Sequence, residues 1–357
     1  MIQHFIITPF SYRNFYFTKK KGLDPLKPKR LEHRFRMFEI ACLPGILNQE
    51  NQNFTWILIV DPALPEKYRK RLETLISVRR GSYLLEFSEE INLAKLNWLK
   101  QWIKPQTKYI VTTTIGDDDA LFDGFTTYVS NHINQLNDLS KLPPVLFFGA
   151  RNEVFWDFYW SNNAPLGYKK QRKMFAPSAA GFSVCCKYPE IDFSIFSFSH
   201  VSSQFLYNHK NKIAANAPVI KDQIAKETKL IKEAVKIPLL NWDGILTQEN
   251  YHTISFDGLH TVILNHPDNI QFMRFFGNPW WREPVNTENS FEGVSLNFEL
   301  AADYIKKYRK SWRLFFWLVN RQFIFFDDDY KGETAFNIFV KRIKGVRKIA
   351  WGVRNMN

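Results

Sequence analysis

Three consecutive carboxylates, Asp117, Asp118 and Asp119, follow a short apolar segment of the chain. Mg²⁺ and Mn²⁺ prefer oxygen ligands, and proteins commonly hold them with one or two carboxylates together with phosphate oxygens. An Asp-x-Asp pair such as Asp117 and Asp119 can present such ligands to a cation that stabilises the charge on a diphosphate. The alternative is a solvated acidic turn that caps the following helix, because aspartate is favoured at helix amino termini.

The first half of the chain alternates short, β-rich apolar segments with helical patterns, which is typical of a mostly parallel sheet joined by crossover helices. The pattern predicts strands at 4–8, 55–60, 83–87, 109–113 and 145–149, and helices at 31–47, 65–78, 93–103 and 122–136. The aspartates therefore lie on a strand-to-helix turn at the carboxyl edge of an α/β sheet, where such folds bind ligands.

The chain after 149 has a weaker pattern. An aromatic segment at 154–160 precedes a polar, basic loop that continues to 173, and we expect structure that binds a substrate there. Helices are predicted at 199–207 and 221–236. The last sixty or so residues become helical, aromatic and basic, so we divide the chain into a domain at 1–295 and a basic helical tail at 296–357.

Composition indicates a folded chain with anionic partners. The 357 residues are 45% hydrophobic, which suffices for a large core, and their net charge is +13. Nucleic acid, an anionic membrane and phosphorylated substrates all remain open on charge alone. A non-enzymatic nucleic-acid binder is disfavoured because the basic residues are scattered and no known nucleic-acid module appears.

The three cysteines, Cys42, Cys185 and Cys186, lack metal-ligand spacing and favour a reducing compartment. No secretory signal pattern is visible, and the apolar run at 314–319 is far shorter than the ~20 residues of a spanning helix. We therefore expect a cytoplasmic protein.

Five segments, in their order along the chain, resemble one known family: IITPFSY, HRFRMFEIACLPGILNQENQNFTWILIVD, YIVTTTIGDDDAL, SAAGFSV and ILNHPDN. The family is the putative rhamnosyltransferases of bacterial polysaccharide synthesis. The resemblance implies a GT-A-like, mostly parallel sheet flanked by helices. It also implies metal-dependent transfer of a sugar, with rhamnose as the implied sugar, from a nucleoside diphosphate sugar to a surface polysaccharide or lipid-linked glycan.

The resemblance assigns a metal site to Asp117 and Asp119, with His266 completing the shell of Mn²⁺ or Mg²⁺ and Asp118 as the next carboxylate. A late histidine has this role in many GT-A enzymes. Taken by itself, a lone histidine such as His266 is more often a structural residue.

Three further residues are assigned to the donor. Arg34 matches an arginine that precedes the first large helix, Asp61 ends the second strand near the nucleoside, and Gly181 lets the backbone approach a sugar. The alternatives are a solvated Arg34 at a helix start, Asp61 as a turn former and Gly181 in a loop without a ligand.

The sequence departs from the family pattern at three positions. Thr114 and Pro9 stand where arginines are expected, and Gly116 stands where the first aspartate of the metal turn is expected. An inverting enzyme also needs a carboxylate base near the acceptor hydroxyl. Candidates for that base are Asp192, Asp222 and Asp243.

The segment 334–357 predicts a basic amphipathic helix, which can lie on an anionic membrane near a lipid-linked acceptor or dock on the catalytic domain. A second aspartate cluster at 327–329 lies in this tail and is interpreted as surface. The rival enzyme class is a haloacid-dehalogenase-like phosphohydrolase, whose Asp-x-Asp supplies a nucleophile and an acid. That family usually carries the pair on its first strand, whereas here more than a hundred residues precede it.

Overall fold

A computed structural model of the chain describes residues 1–11, 24–88, 91–135, 145–150, 152–158, 164–173, 180–197, 261–265, 283–286 and 291–309. Four neighbouring parallel strands form one side of its first sheet: β1 (Ile2–Phe10), β2 (Thr55–Val60), β3 (Ser82–Glu86) and β4 (Tyr109–Thr114). They are extended by β6 (Val145–Phe148) and β9 (Phe182–Lys187) in the order β3-β2-β1-β4-β9-β6, with β9 antiparallel to both of its neighbours.

The register of the parallel strands brings their carboxyl ends together. Phe10 pairs with Val60, and Ile7 pairs with Thr114. Segments such as TWILIV read as continuous apolar runs because the central strands are buried on both faces. The loops that follow β1, β2 and β4 consequently emerge at the same edge of the sheet.

The helices cover the sheet with apolar faces. α1 (Pro28–Met37), a π-helical turn (Phe38–Cys42) and α2 (Leu43–Leu47) follow one another without a break. α3 (Glu66–Ser77) buries Tyr68, Leu72 and Ile76, which recur at four-residue steps and so share one face. α4 (Phe125–Gln135) buries Phe125, Val129 and Ile133 in the same way.

A second sheet lies beside the first and has the order β11-β8-β7-β10-β5. Its strands are β5 (Asp119–Ala120), β7 (Asn152–Asp157), β8 (Tyr168–Lys173), β10 (Thr261–Asn265) and β11 (Glu283–Pro284). β7 and β10 are parallel, and the other pairs are antiparallel. The two-residue strand β5 places the last aspartate of the cluster on the margin of this sheet.

The final described helix, α5 (Phe298–Arg309), packs on the main core. The Asn297 amide donates to the carbonyl of Ile40 at 2.9 Å, and the Tyr304 hydroxyl lies 2.6 Å from Nδ1 of His33 on α1. The segment predicted as a tail at 296–357 therefore begins with a helix in contact with the domain. The boundary after residue 295 stays a prediction.

The predicted α/β class, a sheet flanked by helices, is confirmed. The strand at 109–113 and the helices at 31–47 and 65–78 are present, each within a few residues of its predicted ends. Two local predictions were wrong: the helix at 93–103 is a shorter 3₁₀ helix, Asn97–Trp102, and the loop before 173 contains β8. The predicted helices at 199–207 and 221–236 and the amphipathic segment at 334–357 lie outside the described residues. Within the described part, no helix is long and apolar enough to cross a membrane.

Candidate functional site

The aspartate cluster lies directly after β4, at the carboxyl edge of the first sheet. Asp117 is 3% exposed and Asp118 is 8% exposed, so neither is a solvated surface residue. Asp119 begins β5, and α4 begins only at Phe125. The alternative of an acidic turn capping the next helix is therefore wrong, because the carboxylates are buried beside the sheet and not at the helix start.

Arg34, on the last turn of α1, contacts two of the three carboxylates. Its Nε donates to Oδ2 of Asp117 at 3.0 Å, and its Nη1 donates to Oδ2 of Asp118 at 3.0 Å. Its Nη2 also contacts Oδ1 of Asp117, which makes the pairing with that carboxylate bidentate. The Arg34 side chain is only 11% exposed, so the alternative of a solvated residue at a helix start was wrong. A guanidinium does reach this turn, although from α1 and not from position 114.

Asp119 has a different environment from its neighbours. Its Oδ1 is buried and has no hydrogen-bond partner among the described residues. Burial raises the pKa of this carboxyl well above its ordinary range, the charges of Asp118 and Glu153 raise that pKa further, and Arg34 lowers it. A bound cation would favour the ionised carboxylate, so this unsatisfied oxygen fits a metal ligand.

Gly116 lies beneath these carboxylates. A Cβ atom at this position would lie 2.7 Å from Oδ2 of Asp119 and 2.8 Å from Oδ1 of Asp118, both closer than real Cβ contacts. A side chain at position 116 would therefore displace the carboxylates. The close approach of these two carboxylates to the backbone therefore requires glycine at position 116.

The second sheet brings two more carboxylates onto the face that carries Asp119. Asp119, Ile263 and Phe155 pair in register across β5, β10 and β7, so their side chains point to one face. Glu153 and Asp157 lie two residues on either side of Phe155 and share that face. Both are buried.

Glu153 and Asp157 were missed by the sequence analysis. The sequence signal was a run of three apolar residues, 154–156, with a carboxylate at each end, which in a strand places Glu153 and Asp157 on one face. The segment was interpreted from its aromatic content alone. The structure forms that strand as β7.

Asp61 and Gly181 both lie near the carboxyl edge, with clear structural roles. Asp61 follows β2, and its Oδ1 accepts from the amide of Ala63 at 2.9 Å, as in an Asx turn. Gly181 has φ of +82°, and its amide donates to the carbonyl of Thr114 at 2.9 Å. A Cβ on Gly181 would lie 2.8 Å from Leu121, so glycine is required for packing whether or not a sugar approaches. Their assignments to the donor stay predictions.

Asp192 makes its contacts away from the aspartate turn. Its Oδ1 accepts from the amide of Leu96 at 2.8 Å, and its Oδ2 lies 3.7 Å from Nζ of Lys95. The other candidate bases, Asp222 and Asp243, lie outside the described residues, as does His266. His266 is the residue that immediately follows β10, the strand that pairs with β5 at Asp119.

Within the described ranges, no group of three or more histidine, cysteine, aspartate or glutamate side chains is arranged to hold a metal ion. The aspartate turn instead offers the buried oxygen of Asp119 and two carboxylates bonded to Arg34. One or two carboxylates completed by phosphate oxygens is the usual arrangement for Mg²⁺ at a nucleotide site. The described side chains fit that arrangement.

Comparison with known families gives one match. Residues 24–216, more than half of the chain, match the family described as "Putative rhamnosyl transferase". This match includes the aspartate turn, Arg34, Asp61 and Gly181. The GT-A-like glycosyltransferase fold expected from the sequence agrees with it. No curated protein matches the chain.

Solved structures show weak similarity. S. aureus TarS 1–349 in complex with UDP is 12% identical, with a TM-score of 0.25 and coverage of 42% of this chain and 35% of that chain. A putative glucose-1-phosphate thymidylyltransferase from Bacillus anthracis in complex with a sucrose is 10% identical, with a TM-score of 0.28 and coverage of 71% and 87%. The apo bifunctional enzyme WbbM is 10% identical, with a TM-score of 0.20 and coverage of 42% and 23%. The match thus spans about a third of the TarS chain, and these TM-scores do not establish a shared fold.

Proposed function

This chain belongs to the family described as "Putative rhamnosyl transferase", and from that premise we propose that it transfers a sugar from a nucleoside diphosphate sugar to a surface polysaccharide or lipid-linked glycan. Rhamnose is the sugar that the family description implies. The observation that carries the proposal is the buried turn Asp117–Asp119 with its bound Arg34 at the carboxyl edge of the sheet.

The chemistry of sugar transfer explains why such a turn is useful. Departure of the sugar leaves a diphosphate with new negative charge, and preorganised positive charge at that position lowers the barrier. The planar guanidinium of Arg34 suits phosphate oxygens as well as it suits carboxylates, because both accept two parallel N–H bonds. We assign Arg34 to the diphosphate of the donor.

The proposed reaction depends on Mn²⁺ or Mg²⁺. Asp117 and Asp119 are the preferred ligands, with Asp118 next and His266 proposed to complete the shell. The buried, unsatisfied Oδ1 of Asp119 supports this assignment. When bound, the cation supplies charge stabilisation for the departing diphosphate. Asp61 and Gly181 are proposed to contact the nucleoside and the sugar.

The acceptor is proposed to meet the donor on the face of the second sheet that carries the carboxylates of Asp119, Glu153 and Asp157. Carboxylates accept hydrogen bonds from sugar hydroxyls, and one carboxylate near the reacting hydroxyl can act as a base. Asp192, Asp222 and Asp243 remain the candidates for that base. Asp192 contacts Lys95 and Leu96, away from the aspartate turn, which gives it no added support as the base.

The protein is proposed to be cytoplasmic and peripheral to a membrane. Its basic segment 334–357 is proposed to contact the membrane and so to bring the site to a membrane-bound acceptor. Truncation after Asp329 is expected to abolish binding to vesicles of anionic lipid while the activity on a soluble acceptor remains. Undiminished vesicle binding by the truncated protein would contradict the membrane role.

The direct test of function is turnover of a panel of nucleoside diphosphate sugars, including dTDP-rhamnose, in the presence of Mn²⁺. Release of the nucleoside diphosphate is expected for at least one donor, and it is expected to fall by more than a hundredfold in Asp117→Asn/Asp119→Asn. Asp303→Asn, an exposed carboxylate on α5, is the matched control. Hydrolysis of simple phosphate esters without turnover of any sugar nucleotide would refute the proposal and favour a phosphohydrolase.

A further inference from the structure

A cavity of about 190 Å³ lies between the first sheet and α4, beside the amino-terminal half of β1. Six polar residues line it: His4, Asn51, Asn53, Thr126, Ser130 and Asn134. Its remaining described walls are aliphatic and include Val111 and Val129. His4 pairs with Val111, three residues before β4 ends, so the cavity and the aspartate turn lie toward opposite edges of the sheet.

A chain of hydrogen bonds fixes the protonation of His4. The chain of hydrogen bonds runs from His4 through Thr113 and Ser183 to the carbonyl of Gly181. A carbonyl oxygen can only accept, so the Ser183 hydroxyl donates to it at 3.1 Å. The Thr113 hydroxyl must then donate to Ser183 at 2.6 Å, since the single Ser183 proton is already used. It follows that Nε2 of His4 carries a proton and donates to Thr113 at 2.7 Å.

This order of donors leaves Nδ1 as an acceptor on His4, which is one of the residues that line the cavity. A neutral imidazole with its proton on Nε2 presents an unprotonated Nδ1. Burial lowers the pKa of His4 to about 3, which keeps the ring neutral at physiological pH. The hydrogen bond to Thr113 is the one that the described structure gives this ring.

We propose that this cavity binds one uncharged sugar ring, with a ring hydroxyl donating to Nδ1 of His4. Amide and hydroxyl groups on the wall match the mixed donors and acceptors of a sugar edge, and the aliphatic wall matches the C–H face of a sugar. A cavity of about 190 Å³ is smaller than the roughly 300–1,000 Å³ pockets of drug-sized ligands, which suits one sugar ring.

The charges of the cavity separate this site from the nucleotide site. None of the described residues that line it is ionised at neutral pH, so it offers no positive charge to neutralise a phosphate. The sugar nucleotide is proposed to bind at the aspartate turn, with its diphosphate beside Arg34. The sugar in the cavity is therefore a separate ligand, such as one residue of a glycan chain.

Nitrogen NMR of the full-length protein tests the proposal directly. The protein is labelled with ¹⁵N-histidine, and His4→Phe identifies the His4 signals among the eight histidines. Methyl α-L-rhamnoside, methyl glucoside and the methyl glycoside of N-acetylglucosamine are added at up to ~50 mM. We expect a saturable shift of the Nδ1 signal with at least one of them, while Nε2 remains protonated.

A cavity-filling variant gives the control. Ser130→Phe, on the cavity side of α4, is expected to abolish the shift, whereas Ser77→Phe, exposed on α3, is expected to preserve it. No shift with any glycoside, or an equal shift in Ser130→Phe, would overturn the proposal. Nucleoside diphosphate binding is measured on the same samples, so failure of the cavity site and failure of the proposed function are distinguished.

Discussion

Replacement of Arg34 by methionine tests whether a guanidinium neutralises the aspartate turn. Methionine retains an unbranched, apolar stem and removes the three contacts to Asp117 and Asp118. Those two carboxylates then remain buried without the guanidinium of Arg34. Such a change costs more than the loss of hydrogen bonds alone, since an unpaired buried charge must be desolvated.

The expected size follows from the burial of the pair. The side chains of Arg34, Asp117 and Asp118 are 11%, 4% and 11% exposed, so solvent screens them little. Removing one partner of a buried ion pair costs about 3–5 kcal/mol. At about 2 °C per kcal/mol for a chain of this size, the melting temperature falls by roughly 6–10 °C.

The assay is thermal and urea unfolding in the absence of divalent cations, with Arg36→Met as the matched control. Arg36 lies on the same helix, but its side chain is 46% exposed and 3.8 Å from Glu39. An exposed pair of this kind contributes about 0–1 kcal/mol. Adding Asp117→Asn and Asp118→Asn to Arg34→Met is expected to recover part of the loss, because it removes the two buried negative charges that Arg34 neutralises in the wild-type protein.

Two results would refute this reasoning. Equal effects of Arg34→Met and Arg36→Met would show that the buried pairing does not form in solution. No recovery in the triple variant would show that the cost of Arg34→Met arises from lost packing of the stem and not from unpaired carboxylates.

Three further predictions concern the same turn. Asp119→Asn is expected to stabilise the cation-free protein at neutral pH and to weaken Mn²⁺ binding. Because the pKa of Asp119 is raised in the folded state, the wild-type free energy of unfolding falls as pH rises from about 3.8 through that pKa. Unfolding of the variant, measured as a function of pH, should lack this fall. Gly116→Ala should lower Mn²⁺ affinity, measured by calorimetry, because its Cβ displaces the carboxylates of Asp118 and Asp119. Gly181→Ala should cost about 1–3 kcal/mol in urea unfolding through overpacking, whereas Gly124→Ala, with no contact under 3.3 Å and an ordinary φ, should cost less.

The sequence predicted the parts of the fold that local pattern determines. The β4 strand, the first long helix and the aspartates after β4 follow from apolar periodicity and from the position of an acidic turn after a buried strand. The 3₁₀ helix Asn97–Trp102 was predicted as an α-helix, because its apolar residues also suit an α-helix.

The parts that were missed depend on contacts between distant segments. Nothing in the sequence near Arg34 shows that α1 directs its side chain toward Asp117 and Asp118, which lie 83 and 84 positions later in the chain. The pairing of Asp119 with Ile263, which places Glu153 and Asp157 on the same face, depends on β10, more than 140 residues after the turn. A strand assignment for 152–157 could have placed Glu153 and Asp157 on one face, but it could not have identified the neighbouring strand.

The central claim is that the aspartate turn binds a nucleoside diphosphate through a divalent cation. Calorimetric titration of UDP, dTDP and GDP into the full-length protein, with Mn²⁺ and then with EDTA, tests it most directly. We expect at least one of them to bind with Mn²⁺, to lose its binding in EDTA and to show none in Asp117→Asn/Asp119→Asn. Binding that survives both EDTA and the double substitution, or no binding by any nucleoside diphosphate, would contradict the claim.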